Sequence, residues 1–546
     1  MTKIETNYSF ALKSICNNYY VLGILLNKKD YGACRYMEQK SLKTKVFIKE
    51  KIYNESVELP IDVDFTMPDY YPDITKILKC RAVPRISAKG VNGRNITVDG
   101  VVTITVLYCN EKGRICSYEY QYPFQKIFEC DFDIETAELS AKIRCEYINC
   151  RAVTSRKIDI HGANSINVCL LKRRGTEIVS DVDDDSLELL RGIAPATSPV
   201  GYSEKYLVID QEIDVSTNQG KINSVIRYEA MAQVNECKVL SSKAMVKGEL
   251  LLNALCSTED GNLSTIRSNI PFSQILEIEG LNEFCLTDAN AVVAFLEVAL
   301  KCKDIDDSAY LRVDAKLLVS CESSCDNDVA IVLDAYSKKY ETSVSKQEVS
   351  FDKIFKNINE TFTCKKNIEF QGIDISSIAD MWCETKALNT KFKDNVITVC
   401  GDTTVTLIAR DSDMMPFICE KNFDFEYTLN LDFPCENMKF SPNITVKSSS
   451  YTLTSHDCAE IRIELCVSGA IYCLNKISIV TDITSDSSKP IEKKNRSAMT
   501  IYFATGGERV WDIAYRYGAS VGEIKQINDI SSDNIENDRM LLVPIN

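Results

Sequence analysis

In three places in this chain, a glycine at the same position of an alternating apolar pattern is followed 24 residues later by a phenylalanine. Alternation of apolar and polar residues around each glycine is typical of a half-buried strand, and a glycine within it indicates a bulge or a close backbone approach. The shared spacing and apolar phase predict three copies of one β unit. The three pairs are Gly100–Phe124, Gly248–Phe272 and Gly401–Phe425.

Many short alternating stretches with turn signals and few helical periods favour a sandwich or small barrel. We therefore predict a mainly β protein with three tandem β-sandwich-like repeat domains followed by a small βααβ domain. Breaks in the pattern give the expected division of the 546 residues. It comprises an N-terminal extension (1–34), three β repeats (35–195, 196–345 and 346–483), a flexible linker (484–498) and the C-terminal domain (499–546).

Net charge limits the kinds of molecule that the chain is expected to bind, and cysteine content indicates whether it is expected in a reducing or an oxidising compartment. A net charge of −15 argues against nucleic acid as a partner, because phosphate neutralisation needs clustered Lys and Arg. The 23 cysteines are odd in number, scattered, and preceded by no secretory signal, so we expect buried, reduced thiols. The apolar run at 19–26 is too short for a bilayer, and we predict no transmembrane segment.

The sequence offers little catalytic chemistry. The two histidines, His161 and His456, fall in different predicted units, and each is predicted to be a hydrogen-bonded histidine of a sheet. The acidic run at 181–188 resembles the start of a calcium loop, but Ser186 and Gly192 occupy the positions that need Gly and Glu. We therefore predict a non-enzymatic protein with no metal site and no cofactor.

The last residues of the chain follow a different pattern. A short strand at 501–503 precedes a stretch with apolar residues at helical spacing, which Gly518 ends. Ser520 and Glu523 have the spacing of a capping box at the start of a second helix, and 541–544 supplies a closing strand. This order of strand, helix, helix and strand resembles a LysM domain. The residues that match the LysM pattern are Tyr502, Gly507, Glu508, Val510, Ile513, Ala514, Asn528, Ile535, Leu541 and Pro544.

The LysM resemblance implies a groove that holds N-acetylglucosamine polymers. Arg509 replaces the usual Thr and Asp538 the usual Gly, and both positions border that groove, which weakens the expectation of glycan binding. Two interpretations of Trp511 remain open, namely an exposed anchor for a partner and a partly buried packing residue. The predicted contact residues for a protein or a glycan are Gly507, Glu508, Arg509, Trp511, Asn528, Ile530 and Asp538.

Two upstream motifs extend the resemblance. The segment MPDYYPDITKIL at 67–78 and the pattern G-x-V-x-I-x-V-L-Y at 100–108 resemble SipL-type spore coat morphogenetic proteins, which join SPOCS domains to a C-terminal LysM domain. The resemblance implies a mother-cell cytoplasmic adaptor at the forespore surface or spore coat, which binds the stage IV sporulation coat ATPase through its LysM domain. Two alternatives remain, namely binding of peptidoglycan- or chitin-type glycan and a self-assembling structural spore layer.

Overall fold

In a computed structural model, the chain is described over residues 36–38, 41–134, 136–215, 221–302, 309–370, 372–431, 437–491 and 498–545. Strands make up most of these residues, and the two helices lie near the C-terminus. The predicted N-terminal extension, 1–34, lies outside the described residues. None of the described helices has the length and apolar character needed to cross a bilayer.

The first repeat contains six strands in two packed antiparallel sheets. They are β2 (Ser41–Thr66), β3 (Lys76–Asn92), β4 (Asn95–Cys109), β5 (Ile115–Glu129), β6 (Glu138–Ala152) and β7 (Lys157–Val182), after a short β1 (Tyr36–Glu38). One sheet has the order β3-β4-β5 and the other β2-β7-β6. Alternate residues of β4 and β7, including Ile104 and Ile160, meet in the core between the sheets because side chains of a strand alternate between its faces.

The second and third repeats have the same strand order. The second contains β8 (Leu187–Asp214), β9 (Ile222–Leu240), β10 (Lys243–Thr258), β11 (Leu263–Glu277), β12 (Leu286–Cys302) and β13 (Ala309–Ser337). The third contains β14 (Tyr340–Glu369), β15 (Ile375–Lys393), β16 (Val396–Asp411), β17 (Pro416–Asn430), β18 (Met438–Phe440), β19 (Asn443–Ser455) and β20 (Cys458–Pro490). In each, the second to fourth strands form a meander and the first pairs with the last. The prediction of three tandem sandwich-like β repeats is confirmed.

Pairing of the first strand with the last also bears on where each repeat begins. Leu187 pairs with Ser337, and Tyr340 pairs with Pro490. The sequence-based borders after 195, 345 and 483 therefore fall inside β8, β14 and β20. The chain turns between repeats at residues 183–186, where the Leu187 amide donates to Asp184, and at 338–339. We propose these turns as the borders. The predicted linker, 484–498, begins with the end of β20 and includes residues outside the described ranges.

The glycine–phenylalanine spacing has a direct structural cause. Gly100 on β4 is the cross-strand partner of Phe124 on β5, and the other two pairs are related in the same way. The strand before each glycine carries a register shift, at Ile86/Ala88 in the first repeat. A Cβ atom on Gly100 would lie 2.2 Å from the carbonyl oxygen of Arg85 and 2.4 Å from Cζ of Phe124. The ring therefore lies directly over the glycine backbone, and the spacing is that of one hairpin.

The three repeats share apolar contacts on the side of the meanders away from the sandwich cores. Leu107, Leu255 and Ile408 occupy matching positions of β4, β10 and β16 and pack in one buried cluster with Trp382. Beside this cluster, the buried Arg227 guanidinium donates from Nε and Nη2 to Asp380 Oδ2, at 2.9 and 2.7 Å. Neither side chain is left as an isolated buried charge, so the second and third repeats are tied by an ion pair.

The first and last strands of the repeats associate at their far ends. All three pairs of first and last strands contribute to a second shared cluster, which includes Val46, Ile178, Ile331, Phe351 and Ile479. These strand pairs are long because β7, β13 and β20 have 26, 29 and 33 residues. The three repeats are therefore joined through two apolar clusters as well as through the chain.

A disulfide between two described cysteines contradicts the expectation that the cysteines are all reduced. Cys285, before β12, is bonded to Cys325 on β13, 40 residues later. The two strands are neighbours in one sheet, which brings these thiols together. Many other described cysteines are free, including the buried Cys80, Cys109 and Cys256.

The C-terminal module has the predicted order of elements. Its strands β21 (Met499–Ala504) and β22 (Arg539–Pro544) pair antiparallel, and between them lie α1 (Val510–Tyr517) and α2 (Val521–Ile527). Gly518 ends α1 in the left-handed conformation with φ of 62°. Ser520 is the N-cap residue of α2 but makes no side-chain cap hydrogen bond, so that half of the predicted capping box is not formed.

Candidate functional site

The helical side of the C-terminal module packs against the second repeat. Tyr336, near the end of β13, lies between Trp511 and Tyr515, with ring centroids 5.0 and 5.2 Å apart and edge-to-face geometry. Its hydroxyl donates to the Ala519 carbonyl at 2.6 Å. Burial, together with the nearby charge of Glu188, raises the pKa of the Tyr336 hydroxyl. Tyr336 thus belongs to the core of the module although it lies on the repeat body.

This packing decides between the two readings of Trp511. The side chain is only 7% exposed and belongs to the same apolar cluster as Val510 and Ile513. The reading of Trp511 as an exposed anchor is therefore wrong, and the packing alternative describes it. The helical spacing places Trp511 to one side of the apolar face of α1 that Val510 and Ile513 form. Tyr336, from the distant strand β13, covers that side of the helix.

Two of the predicted carboxylates hold the loop between β21 and α1. Glu508 accepts hydrogen bonds from the Tyr502 hydroxyl at 2.8 Å and from the Thr505 amide at 3.0 Å. The bond from Tyr502 to this carboxylate raises the pKa of the tyrosine. Asp538 Oδ1 accepts the amide of Gly506 at 2.8 Å. Both carboxylates are engaged with their own loop and are only partly available to a ligand.

Gly507 and Arg509 lie at the surface of the same loop. Gly507 has φ of 94°, a left-handed conformation that favours glycine, and its amide donates to Ile535 at 2.7 Å. Arg509 forms a two-bonded ion pair with Asp512, in which Nε and Nη2 each lie 2.8 Å from a carboxylate oxygen. Hydrogen bonding to Asp512 raises the pKa of Arg509. The Arg509 side chain is nevertheless exposed to solvent, at 56%.

Asn528 and Ile530 have structural contacts. Asn528 is 9% exposed, and its amide group bonds Ile524 and both backbone groups of Leu542 at 2.7–2.8 Å, which ties α2 to β22. Ile530 packs at the margin of the apolar cluster. The structure therefore places Glu508 and Asp538 at the same loop, and it buries Trp511 and Asn528 within the module. Whether the set forms a binding site stays a prediction.

Sequence reasoning missed an apolar surface on the opposite side of the module. Outward-pointing side chains of β21 and β22 leave large fractions exposed, which are 56% for Ile501, 75% for Phe503, 55% for Met540 and 37% for Leu542. Met499 adds a side chain that is 47% exposed. A signal was present in the sequence, because the stretches IYF and MLLV are apolar in both phases of the alternation.

His161 lies on the surface of a sheet, as predicted, whereas His456 lies in the turn between β19 and β20, so the prediction of a sheet histidine is wrong for His456. His161 contacts Asp62 through Nδ1 at 3.2 Å and Asp159 through Nε2 at 3.1 Å. These three are the one group in the described part of the chain whose potential metal-binding atoms lie within 4.8 Å of one another. Arg151 also pairs with Asp159 at 2.8 Å, so the arrangement is an ion-pair cluster on an open sheet face. The expectation of no metal site stays a prediction.

Comparison with protein families assigns both parts of the chain. Residues 73–153 and 221–301 match the family model of the SipL SPOCS domain, and residues 507–544 match that of the LysM domain. The chain has the SipL-type domain combination. The SPOCS matches run from β3 to β6 and from β9 into β12, so each comprises a meander and the strand that follows it. The predicted family resemblance is confirmed. Neither a curated protein nor a solved structure matches the chain.

The two kinds of domain support a broad role for the chain. SPOCS and LysM domains are non-catalytic binding domains, and their combination indicates a sporulation protein associated with the spore coat. The LysM match suggests glycan as one class of ligand. The third repeat shares the strand order of the SPOCS repeats, although the SPOCS matches lie in the first two.

Proposed function

We propose that the chain is a non-enzymatic adaptor of spore coat assembly whose LysM domain binds a coat-morphogenetic ATPase, the stage IV sporulation ATPase of the SipL resemblance. The main support for this proposal is that the polar side chains of the LysM loops are already hydrogen-bonded within the domain. Glu508, Asn528 and Asp538 use their polar atoms within the domain, and Arg509 is paired with Asp512. A sugar polymer is held largely through hydrogen bonds, and these side chains already use hydrogen-bonding atoms within the domain.

The repeat body fits the adaptor role as a spacer. Its longest strand, β20, has 33 residues, which corresponds to at most about 110 Å at the usual rise per residue. The LysM domain packs near one end of this length, against Tyr336 on β13. The body would then hold the LysM domain away from whatever the SPOCS repeats contact, in the mother-cell cytoplasm at the forespore surface.

Binding of the purified ATPase to the full chain, measured by biolayer interferometry, tests the proposal. We expect Arg509→Glu to weaken binding about tenfold or more, because charge reversal at an exposed loop opposes the charge complementarity of an interface. Arg312→Glu is the matched control, since Arg312 is also an exposed arginine paired with aspartates, but on the second repeat. A chain ending before Thr500 is expected not to bind. Undiminished binding by that shortened chain would refute the proposal.

Glycan binding is the second candidate, favoured by the LysM match and by the retained left-handed Gly507. Titration calorimetry of the full chain with peptidoglycan fragments and chitin oligomers distinguishes it from the first. Saturable heat that disappears in Arg509→Glu would assign the loops to sugar. Absence of heat at millimolar oligomer, with ATPase binding intact, would assign them to protein.

A further inference from the structure

We infer that the outer face of the LysM sheet is a self-association surface, through which two copies of this chain pair. The face consists of Met499, Ile501 and Phe503 on β21 with Met540 and Leu542 on β22. The two strands place these residues side by side, since Ile501 pairs with Leu542 and Phe503 with Met540. The exposed fractions, from 37% to 75%, show that neither the helices nor the repeat body covers them.

The face carries no ionisable side chain. The intervening positions of β21 and β22 point inward, and Leu541 and Val543 are buried there. Arg539 also lies on the inner side, where its guanidinium donates to the Asn528 carbonyl at 2.8 Å. The chain as a whole has a net charge of −15, so most of its surface repels a second copy. An uncharged apolar face is the surface on which this repulsion is weakest.

The area is consistent with a second copy as the occupant. At the exposed fractions given above, the five side chains leave on the order of 500 Å² open, which is near the upper limit for the largest patch of a monomer. Two such faces in contact bury about 1,000 Å² in total, which is the lower bound for a specific interface. A two-fold pairing uses the same patch twice and therefore closes at the dimer.

The geometry of the LysM domain leaves the face free for this contact. Tyr336 covers the opposite, helical side, and the Arg509 loop lies at the end of the sheet. Pairing through the sheet thus displaces neither the docking contact nor the proposed partner site. The inference does not depend on the proposed function, because it concerns a different surface and a different partner.

Sedimentation velocity of the full chain between about 1 and 100 μM tests the inference. We expect the 61.4 kDa chain to shift from monomer to dimer over this range, with a dissociation constant of micromolar order, as a small apolar interface allows. Phe503→Asp should remain monomeric at the highest concentration, because pairing would bury its charge in an apolar contact. Ile501→Lys should also remain monomeric at the highest concentration. Agreement between the two variants would show that the loss of the dimer is not peculiar to one substitution.

Phe284→Asp is the matched control. Phe284 is a phenylalanine that is 84% exposed, on the second repeat and far along the chain from the LysM sheet. The control should dimerise like the unaltered chain, and unchanged circular dichroism should show that all variants are folded. A monomer at 100 μM in the unaltered chain, persistence of the dimer in Phe503→Asp, or equal loss in Phe284→Asp would each overturn the inference.

Discussion

Gly100→Ala is expected to destabilise the protein by about 3 kcal/mol, because a methyl group has no space at this position. Its Cβ would lie 2.2 Å from the backbone oxygen of Arg85 and 2.4 Å from the Phe124 ring. The ring could move, but the carbonyl belongs to the adjacent strand at its bulge and cannot yield without breaking the ladder. Gly248 and Gly401 have equivalent contacts, so their alanine variants should have effects of similar size.

Urea unfolding followed by circular dichroism measures this effect, and the adjacent strand offers a matched control. Gly90 lies on β3, and a Cβ built there meets nothing within 4 Å. Gly90→Ala should therefore change stability by no more than about 0.5 kcal/mol. Adding Phe124→Leu to Gly100→Ala should recover only part of the loss, because the contact with Arg85 remains. Equal midpoints for Gly90→Ala and Gly100→Ala would contradict the close-approach explanation of the repeat spacing.

Tyr336→Ala is expected to release the LysM domain from the repeat body. The change removes two ring contacts and the buried hydrogen bond to Ala519. Loss of a buried aromatic side chain is worth about 3 kcal/mol, which is a change of roughly a hundredfold in the docking equilibrium. Trp511, now 7% exposed, would then be open to solvent on one side.

Fluorescence of Trp511 reports this release. The chain has two tryptophans, so a Trp382→Phe background makes Trp511 the sole reporter. We expect a red-shifted emission and stronger acrylamide quenching in Tyr336→Ala. Tyr336→Phe should shift less, because it loses about 1 kcal/mol of hydrogen bonding but keeps the rings. Tyr70→Ala, at a tyrosine that is 80% exposed on the first repeat, is the control. Unchanged quenching in Tyr336→Ala would show that the domain is not held by this contact.

The features that the sequence predicted are local ones. Gly100 and Phe124 lie on adjacent strands of one hairpin, and the helices of the LysM domain follow from apolar spacing and from Gly518 as a stop signal. Both depend on residues close in the chain, so the pattern is visible in one dimension. The meander of each repeat is also local, since its strands follow one another along the chain, whereas the pairing of the first strand with the last is not.

The features that the sequence could not predict depend on residues that are far apart in the chain. Arg227 and Asp380 are 153 positions apart, and Tyr336 bonds Ala519 across 183. Nothing near either residue indicates its partner. The disulfide between Cys285 and Cys325 likewise depends on the pairing of two strands rather than on a motif. The borders of the repeats were predicted from breaks in the local apolar pattern, whereas the borders proposed above depend on the pairing of distant strands.

Pairing of the first strand with the last in each repeat has a consequence for synthesis of the chain. β2 ends at Thr66 and its partner β7 begins at Lys157, so about 90 residues must emerge from the ribosome in between. At synthesis rates of some 5–20 residues per second, that takes about 5–20 s. The wait recurs for β8 and β14, whose partners also close the repeat. Three times during translation, a long strand edge stays open to other nascent chains, so the yield of folded protein should fall when synthesis is crowded.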